Sequence, residues 1–273
     1  MTGNRAITST LVGLARTFAH ALAAEDLARQ PGLLQSFDPR VRLTGIFLLV
    51  LAALLAHRIA VIAGLFAVAV VLAFFSHVRL ATLAVRVWLV VLLFTGIIAF
   101  PALFLTPGSV MMTPSGTVLP ITIQGLSSAI LLIARVETAA TLTTVLVLTT
   151  PWIALLKSFR AVRVPPEIVM MLAMTHRYVF LLAETAGQMF ESRQSRTVGV
   201  LDRTAQRHMA SRTAGVLLSK SIDLSNDVFL AMQSRGFRGD AKVLTAFRMR
   251  PLDYLGLSAF VAVGIAAVWV GRS

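Results

Sequence analysis

Five stretches of this chain are apolar enough, for long enough, to call for a solvent other than water. They run from about Val41 to Ala56, Ile59 to Phe75, Val87 to Leu105, Ile121 to Thr149 and Leu252 to Val270. Crossing a bilayer takes about 20 mostly apolar residues. Inside lipid every backbone polar group must be satisfied within the protein, which a helix does and an open sheet does not. The fold class that follows is an all-α membrane protein of about five transmembrane helices, with a helical cytoplasmic domain inserted before the last one. Composition agrees, because only 14% of the residues are charged and 57% are hydrophobic, whereas a soluble domain carries about 25% charged residues. Cysteine is absent, which excludes disulfides, thiolate metal sites and cysteine nucleophiles.

The chain divides into an N-terminal cytoplasmic segment (1–36), four spans (37–150), cytoplasmic helices (151–250) and a last span (251–273). The first 35 residues contain Arg5, Arg16, His20, Glu25, Asp26 and Arg29, so no leader with an apolar core is expected. An amphipathic helix around Leu14 to Ala28 is expected there instead. Only His57 and Arg58 separate the first two spans, which should form a tight helical hairpin. Pro101 should kink the third span. Residues 106–120, rich in Pro, Gly, Ser and Thr and free of charge, read as an exposed loop.

Basic residues set the orientation. Arg40 and Arg42 precede the first span, Arg79 and Arg86 lie between the second and third, and Lys157, Arg160 and Arg163 follow the fourth. The consistent solution is a multi-pass protein of the inner or plasma membrane. Its N-terminus and residues 151–250 are cytoplasmic, and its C-terminus is outside. The fourth span carries Arg135 and Glu137 near its middle. Each costs roughly 3 kcal/mol at mid-bilayer, which about a dozen Ile, Leu and Val residues nearly offset. Such a helix is stable only when packed against protein. Two positions apart, these charges point to different sides of the helix, so they read as structural contacts to neighbouring helices, with a substrate contact as the alternative.

Residues 151–250 hold 15 of the 25 basic residues and seven of the 12 acidic ones. Pro165 and Pro166 suit a helix start. From there to about Arg196 one helix is expected, with Ile168, Met171, Leu172, Thr175, Val179, Leu182 and Ala186 on one stripe. Met170, Met171, Met174 and Met189 add the polarizable surface of adaptable interfaces. A second helix should run from Asp202 to about Ser234, broken near Gly215. Two motifs end these helices, one around Ser192, Arg193, Gln194 and Arg196, the other around Ser234, Arg235 and Gly236. Arginine at a helix C-terminus complements the dipole, and glycine permits a left-handed cap. The functional alternative is that a small neighbour allows close docking while the guanidinium makes bidentate bonds to a partner.

No phosphate-binding loop of the G-x-x-x-x-G-K-[ST] type, no H-E-x-x-H and no G-x-S-x-G occurs, so the residues suggest no catalytic, nucleotide or metal site of the chain's own. The five histidines are scattered, and Thr175-His176-Arg177-Tyr178 reads as a packed, hydrogen-bonded helix face. A membrane enzyme using Arg135, Glu137 and His176 is the alternative of another class. A nucleic-acid anchor is disfavoured because aromatics are not interleaved with the basic residues.

Several of these pieces together resemble the transmembrane (T) component of energy-coupling factor transporters, of the cobalt/nickel type called CbiQ or NikQ. The resemblance begins at Phe37-Asp38-Pro39-Arg40-Val41-Arg42-Leu43 and continues through Leu148-Thr149-Thr150-Pro151 and Met174 to Glu184. It is strongest at Ala231-Met232-Gln233-Ser234-Arg235-Gly236-Phe237-Arg238-Gly239. Ser234 stands where the family signature has alanine, and the first motif is not a strict match. Arg193 is the first choice for that motif's arginine and Arg196 the alternative. The resemblance implies a non-catalytic subunit of an ATP-driven transporter, with two cytoplasmic ATPase subunits and a membrane substrate-binding subunit as partners. ATP would be used by those partners, with no cofactor or metal held by this chain. Cobalt or nickel is the implied substrate, and a vitamin or another micronutrient the alternative.

Overall fold

A computed structural model of the chain describes residues 32–101, 106, 110–112, 121–196, 202–239 and 249–272. The expected amphipathic helix at Leu14 to Ala28 lies outside these residues. The chain divides into two units: residues 25–158 with 247–273, and 159–246 with 1–24.

The first unit holds two of the three helices long and apolar enough to cross a membrane, and both of the shorter apolar ones. It starts with a short turn, α1 (Leu33–Ser36), followed by α2 (Pro39–Leu55) and α3 (Ile59–Phe75). Asp38 caps α2 by accepting the Arg40 N–H at 2.9 Å, and Pro39 opens the helix where its missing N–H costs nothing. Although α2 and α3 are joined by three residues, they touch little. Each packs instead on α6 (Ile123–Thr149), and α2 also lies along α10 (Pro251–Arg272). The expected hairpin is therefore opened by a third helix. Along α2 and α10 the approach is close, since a methyl group at Gly45 would overlap the Phe260 ring.

The third span differs from expectation in two ways. It starts earlier, as α4 (Leu80–Leu83), a π-helical segment (Ala84–Trp88) and α5 (Leu89–Ala99). Helix α5 ends at Ala99 with Phe100 as its C-cap, one residue before Pro101, which has no N–H to return to the preceding turn; the rest of the expected span, residues 102–105, lies outside the described residues. The irregularity sits in the π segment, where Trp88 donates to Thr141 Oγ1 at 3.0 Å and its ring lies 5.4 Å from that of Phe66. Part of the expected 106–120 loop is ordered by pairing. Strand β1 (Val110–Met112) runs antiparallel to β2 (Ile121–Thr122), and the Thr122 hydroxyl donates to the Thr106 carbonyl at 2.9 Å. Helix α7 (Trp152–Ala161) crosses the unit boundary.

The second unit is built on α8 (Pro166–Arg196) and α9 (Arg203–Ser234). Gly215 does not break α9. A lone glycine costs about 1 kcal/mol relative to alanine, and a helix of 32 residues absorbs it. By length and composition α6, α8 and α10 can each cross a membrane, with α3 and α5 as shorter apolar helices. The protein is an all-α membrane protein.

Candidate functional site

Both arginine motifs end a helix of the second unit. Helix α9 closes in a Schellman motif: Phe237 N–H returns to the Met232 carbonyl at 3.0 Å and Gly236 N–H to the Gln233 carbonyl at 2.9 Å. Gly236 takes φ +81°, the left-handed value the motif needs. Arg235 therefore sits at the helix end with its side chain exposed, beside Ser234, whose hydroxyl bonds back to the Ala231 carbonyl at 2.9 Å. Met232 and Phe237, the apolar pair that accompanies such a cap, both line a groove between α8 and α9.

At the end of α8, Ser192 is exposed and its hydroxyl bonds to the Met189 carbonyl at 3.1 Å. Arg193 is half-buried and reaches across to the Met209 carbonyl of α9 at 3.5 Å. Arg196, three residues on, is the last residue of the helix and exposed. The side chain of Gln194 lies outside the described set. The two arginines between which the sequence left a choice thus differ in setting: one leans on the neighbouring helix, the other points to solvent.

The groove has a volume of about 480 Å³ and takes its apolar surface from Met170, Met171, Met174, Leu224, Val228 and Phe229 among others. Three of the four methionines noted in the sequence are there. The stripe on α8 stays exposed at Ile168, Met171, Leu172 and Val179, with Met171 68% exposed. Within Thr175-His176-Arg177-Tyr178, the Thr175 hydroxyl bonds to Met171, His176 meets the Phe180 ring edge-on at 4.9 Å, and Arg177 lies 5.9 Å from the Tyr178 ring. These are contacts along one helix. Among the described residues no group of three or more His, Asp or Glu could hold a metal ion.

In the first unit, Arg135 donates from Nε and Nη2 to the Ala56 carbonyl, at 3.2 and 2.6 Å, and so satisfies the C-terminus of α2. Among the described residues Glu137, only 9% exposed, finds no hydrogen-bond partner for either carboxyl oxygen. Sequence reasoning missed a buried cluster at the start of α2. Arg42, 5% exposed, donates to the carbonyls of Thr149 at 2.6 Å, Phe37 at 2.8 Å and Gln35 at 3.0 Å. Asp253 accepts the backbone N–H of Asp38 and of Arg250, each at 2.7 Å. The signal was present in Phe37–Leu43 and Leu148–Pro151, but as a resemblance and not as a contact.

Residues 32–245 match the family model CbiQ, described as a cobalt transport protein. The chain belongs to the CbiQ family. The matched stretch takes in both arginine motifs, the groove and Arg42. An uncharacterized protein of Methanocaldococcus jannaschii is 29% identical over 221 residues, 80% of this chain and 76% of that one. The cobalt transport protein CbiQ of Rhodobacter capsulatus is 28% identical over 174 residues, 62% and 70% of the two chains. The nickel permease LarQ of Lactiplantibacillus plantarum is 31% identical over 123 residues, 45% and 44%. Like other CbiQ-family members, the chain is a membrane transport component.

Proposed function

We propose that this chain is the non-catalytic coupling subunit of an energy-coupling factor transporter for cobalt or nickel. The helices of residues 37–150 and 251–273 anchor it in the inner or plasma membrane, and residues 151–250 face the cytoplasm. The arginine motif at the end of α8, Arg193 or Arg196, docks on one ATPase subunit, and Arg235 docks on the other. ATP binding and hydrolysis in those partners moves the ends of α8 and α9, and the motion is passed to a membrane subunit that captures the metal ion.

One observation carries this reading: the Schellman cap ends α9 so that Arg235 is held at a fixed, exposed helix tip. A guanidinium there offers five donors in a planar fork to carboxylates or carbonyls of a partner groove. The small neighbours Ser234 and Gly236 let that partner come close. Basic residues around 157–163 support the cytoplasmic side for this unit.

Co-expression with two candidate ATPases and a membrane capture protein tests it. Arg235→Glu should insert normally yet lose complex formation or metal uptake. Normal co-purification together with normal uptake would refute the docking role. A loss from Arg196→Glu and none from Arg193→Glu would assign the first motif to the exposed arginine; the reverse result would assign it to Arg193.

A further inference from the structure

In the chain, α6 and α10 flank the stretch that carries α7, α8 and α9, and one buried cluster holds the end of α6 and the start of α10. At the first place, the last carbonyl of α6, at Thr149, accepts from Arg42 Nη1 at 2.6 Å, and Thr150 Oγ1 lies 3.4 Å from the same nitrogen. At the second, Asp253 in the first turn of α10 accepts the Asp38 N–H through Oδ1 and the Arg250 N–H through Oδ2. Asp38 and Arg42 belong to one stretch, residues 35–42, whose turn is fixed by Arg42 bonding to the Gln35 and Phe37 carbonyls. Every side chain involved is shielded: Thr149 is 0%, Thr150 3% and Asp253 3% exposed.

We propose that this cluster is the transmission joint of the transporter. It ties the end of α6 and the start of α10, between which α7, α8 and α9 are inserted in the chain, to the N-terminus of α2, so that force arriving from either side reaches α2, α6 and α10 together. A connector without such bonds would flex and absorb the displacement. Bonds to a charged donor or acceptor, hidden from water, hold against that because there is no solvent to replace them. Asp38, Arg42 and Asp253 are therefore positioning residues that act through the helices they pin. The proposal rests on the coupling reading above.

The test uses the full complex in liposomes, recording cobalt(II) or nickel(II) taken up and ATP hydrolysed in the same preparation. Asp253→Ala removes both backbone anchors. The complex should still assemble and hydrolyse ATP, while metal taken up per ATP falls at least about tenfold, the loss expected from even one of the two hydrogen bonds to a charged group. Asp253→Asn keeps an acceptor for the Asp38 N–H but turns the other oxygen into a donor that cannot accept from Arg250, so its ratio should fall between the two. This isosteric change also supplies the readout if the alanine variant fails to assemble. An unchanged ratio in assembled Asp253→Asn and Asp253→Ala complexes overturns the joint. So does uptake that falls only in step with hydrolysis and complex yield, which marks a purely structural role. Should the wild-type chain assemble with no ATPase, the coupling reading fails first and the joint with it.

Discussion

The membrane unit and the α8–α9 unit solve opposite problems with the same kind of helix. In the membrane unit, Leu34, Val41, Ile46, Leu49, Ile62, Leu142 and Val145 are almost wholly buried, and polar groups such as Arg42 and Asp253 are buried with partners. In the α8–α9 unit Val169 is the one described apolar side chain in the buried class, while Ile168, Met171, Val179, Leu218, Ile222, Phe229 and Leu230 are exposed. A unit whose helices bury each other is defined by its own contacts. The first unit also exposes large apolar side chains, Phe94, Ile98 and Trp269 among them, as a lipid-facing surface would, but it has a buried core besides; the α8–α9 unit, with scarcely any such core among its described residues, is finished by something else. The comparison teaches where shape and where binding reside: the first unit fixes positions, the second offers surfaces.

The comparison is most exposed at Arg42. Arg42→Ala strips donors from one buried carbonyl and two partly buried ones, the buried one alone costing about 1–3 kcal/mol when left unpaired, so the loss should be about 2 kcal/mol or more. The midpoint of thermal unfolding in mild detergent should fall sharply; a shift no larger than that of a surface substitution would break the contrast. Glu137 tests the same unit with the opposite sign. Its oxygens are buried without partners among the described residues, so Glu137→Leu should stabilise by roughly 1–2 kcal/mol, read from the same unfolding curve. Destabilisation would mean that the carboxyl has a use the packing does not reveal. The smallest effect belongs to the other unit. Gly236→Ala places a side chain at φ +81° with open space around it, a backbone penalty of about 1 kcal/mol. Global unfolding should hardly move, because little is packed on that tip, whereas recovery of the ATPase complex should drop. A global loss as large as that at Arg42 would erase the distinction between the units.

Much of the helical layout was legible before any contact was known. Ile59 to Phe75 and Pro166 to Arg196 were read with the limits the structure gives, and the fourth and last spans within two residues. Proline starts, apolar length and the glycine after Ser234 are local signals, and helix formation responds to local signals. The reading erred where a local signal competes with its surroundings. Gly215 weakens a helix but does not stop a long one. The third span was read as starting at Val87, whereas its helix begins at Leu80 and passes through a π-helical segment. The separation of α2 from α3 could not be read, since a short connector says that two helices are neighbours in the chain and not that they pack.

The candidate residues divide in the same way. That Arg235 should stand at a helix end follows from Ser234, Arg235 and Gly236 themselves, and the backbone there does what the glycine allows. Which of Arg193 and Arg196 is presented to solvent depends on α9, a separate helix that reaches Arg193 through Met209. The most distant partners of Arg42 and Asp253 lie 107 and 215 residues away, and nothing in the local sequence says that Arg42 will also meet the carbonyl of Thr149 or that Asp253 will meet the N–H of Asp38.

By itself the sequence determined that the chain lives in lipid, where most of its helices begin and end, and that arginines stand at two of those ends. Periodicity, charge and capping act over a few residues and can be read one window at a time. Only the tertiary structure decided which charged groups inside the membrane unit are paired, and that residues 35–42 at the start of α2 bond to the end of α6 and the start of α10. Those facts depend on which helices meet, and distant segments come together only when the whole bundle closes.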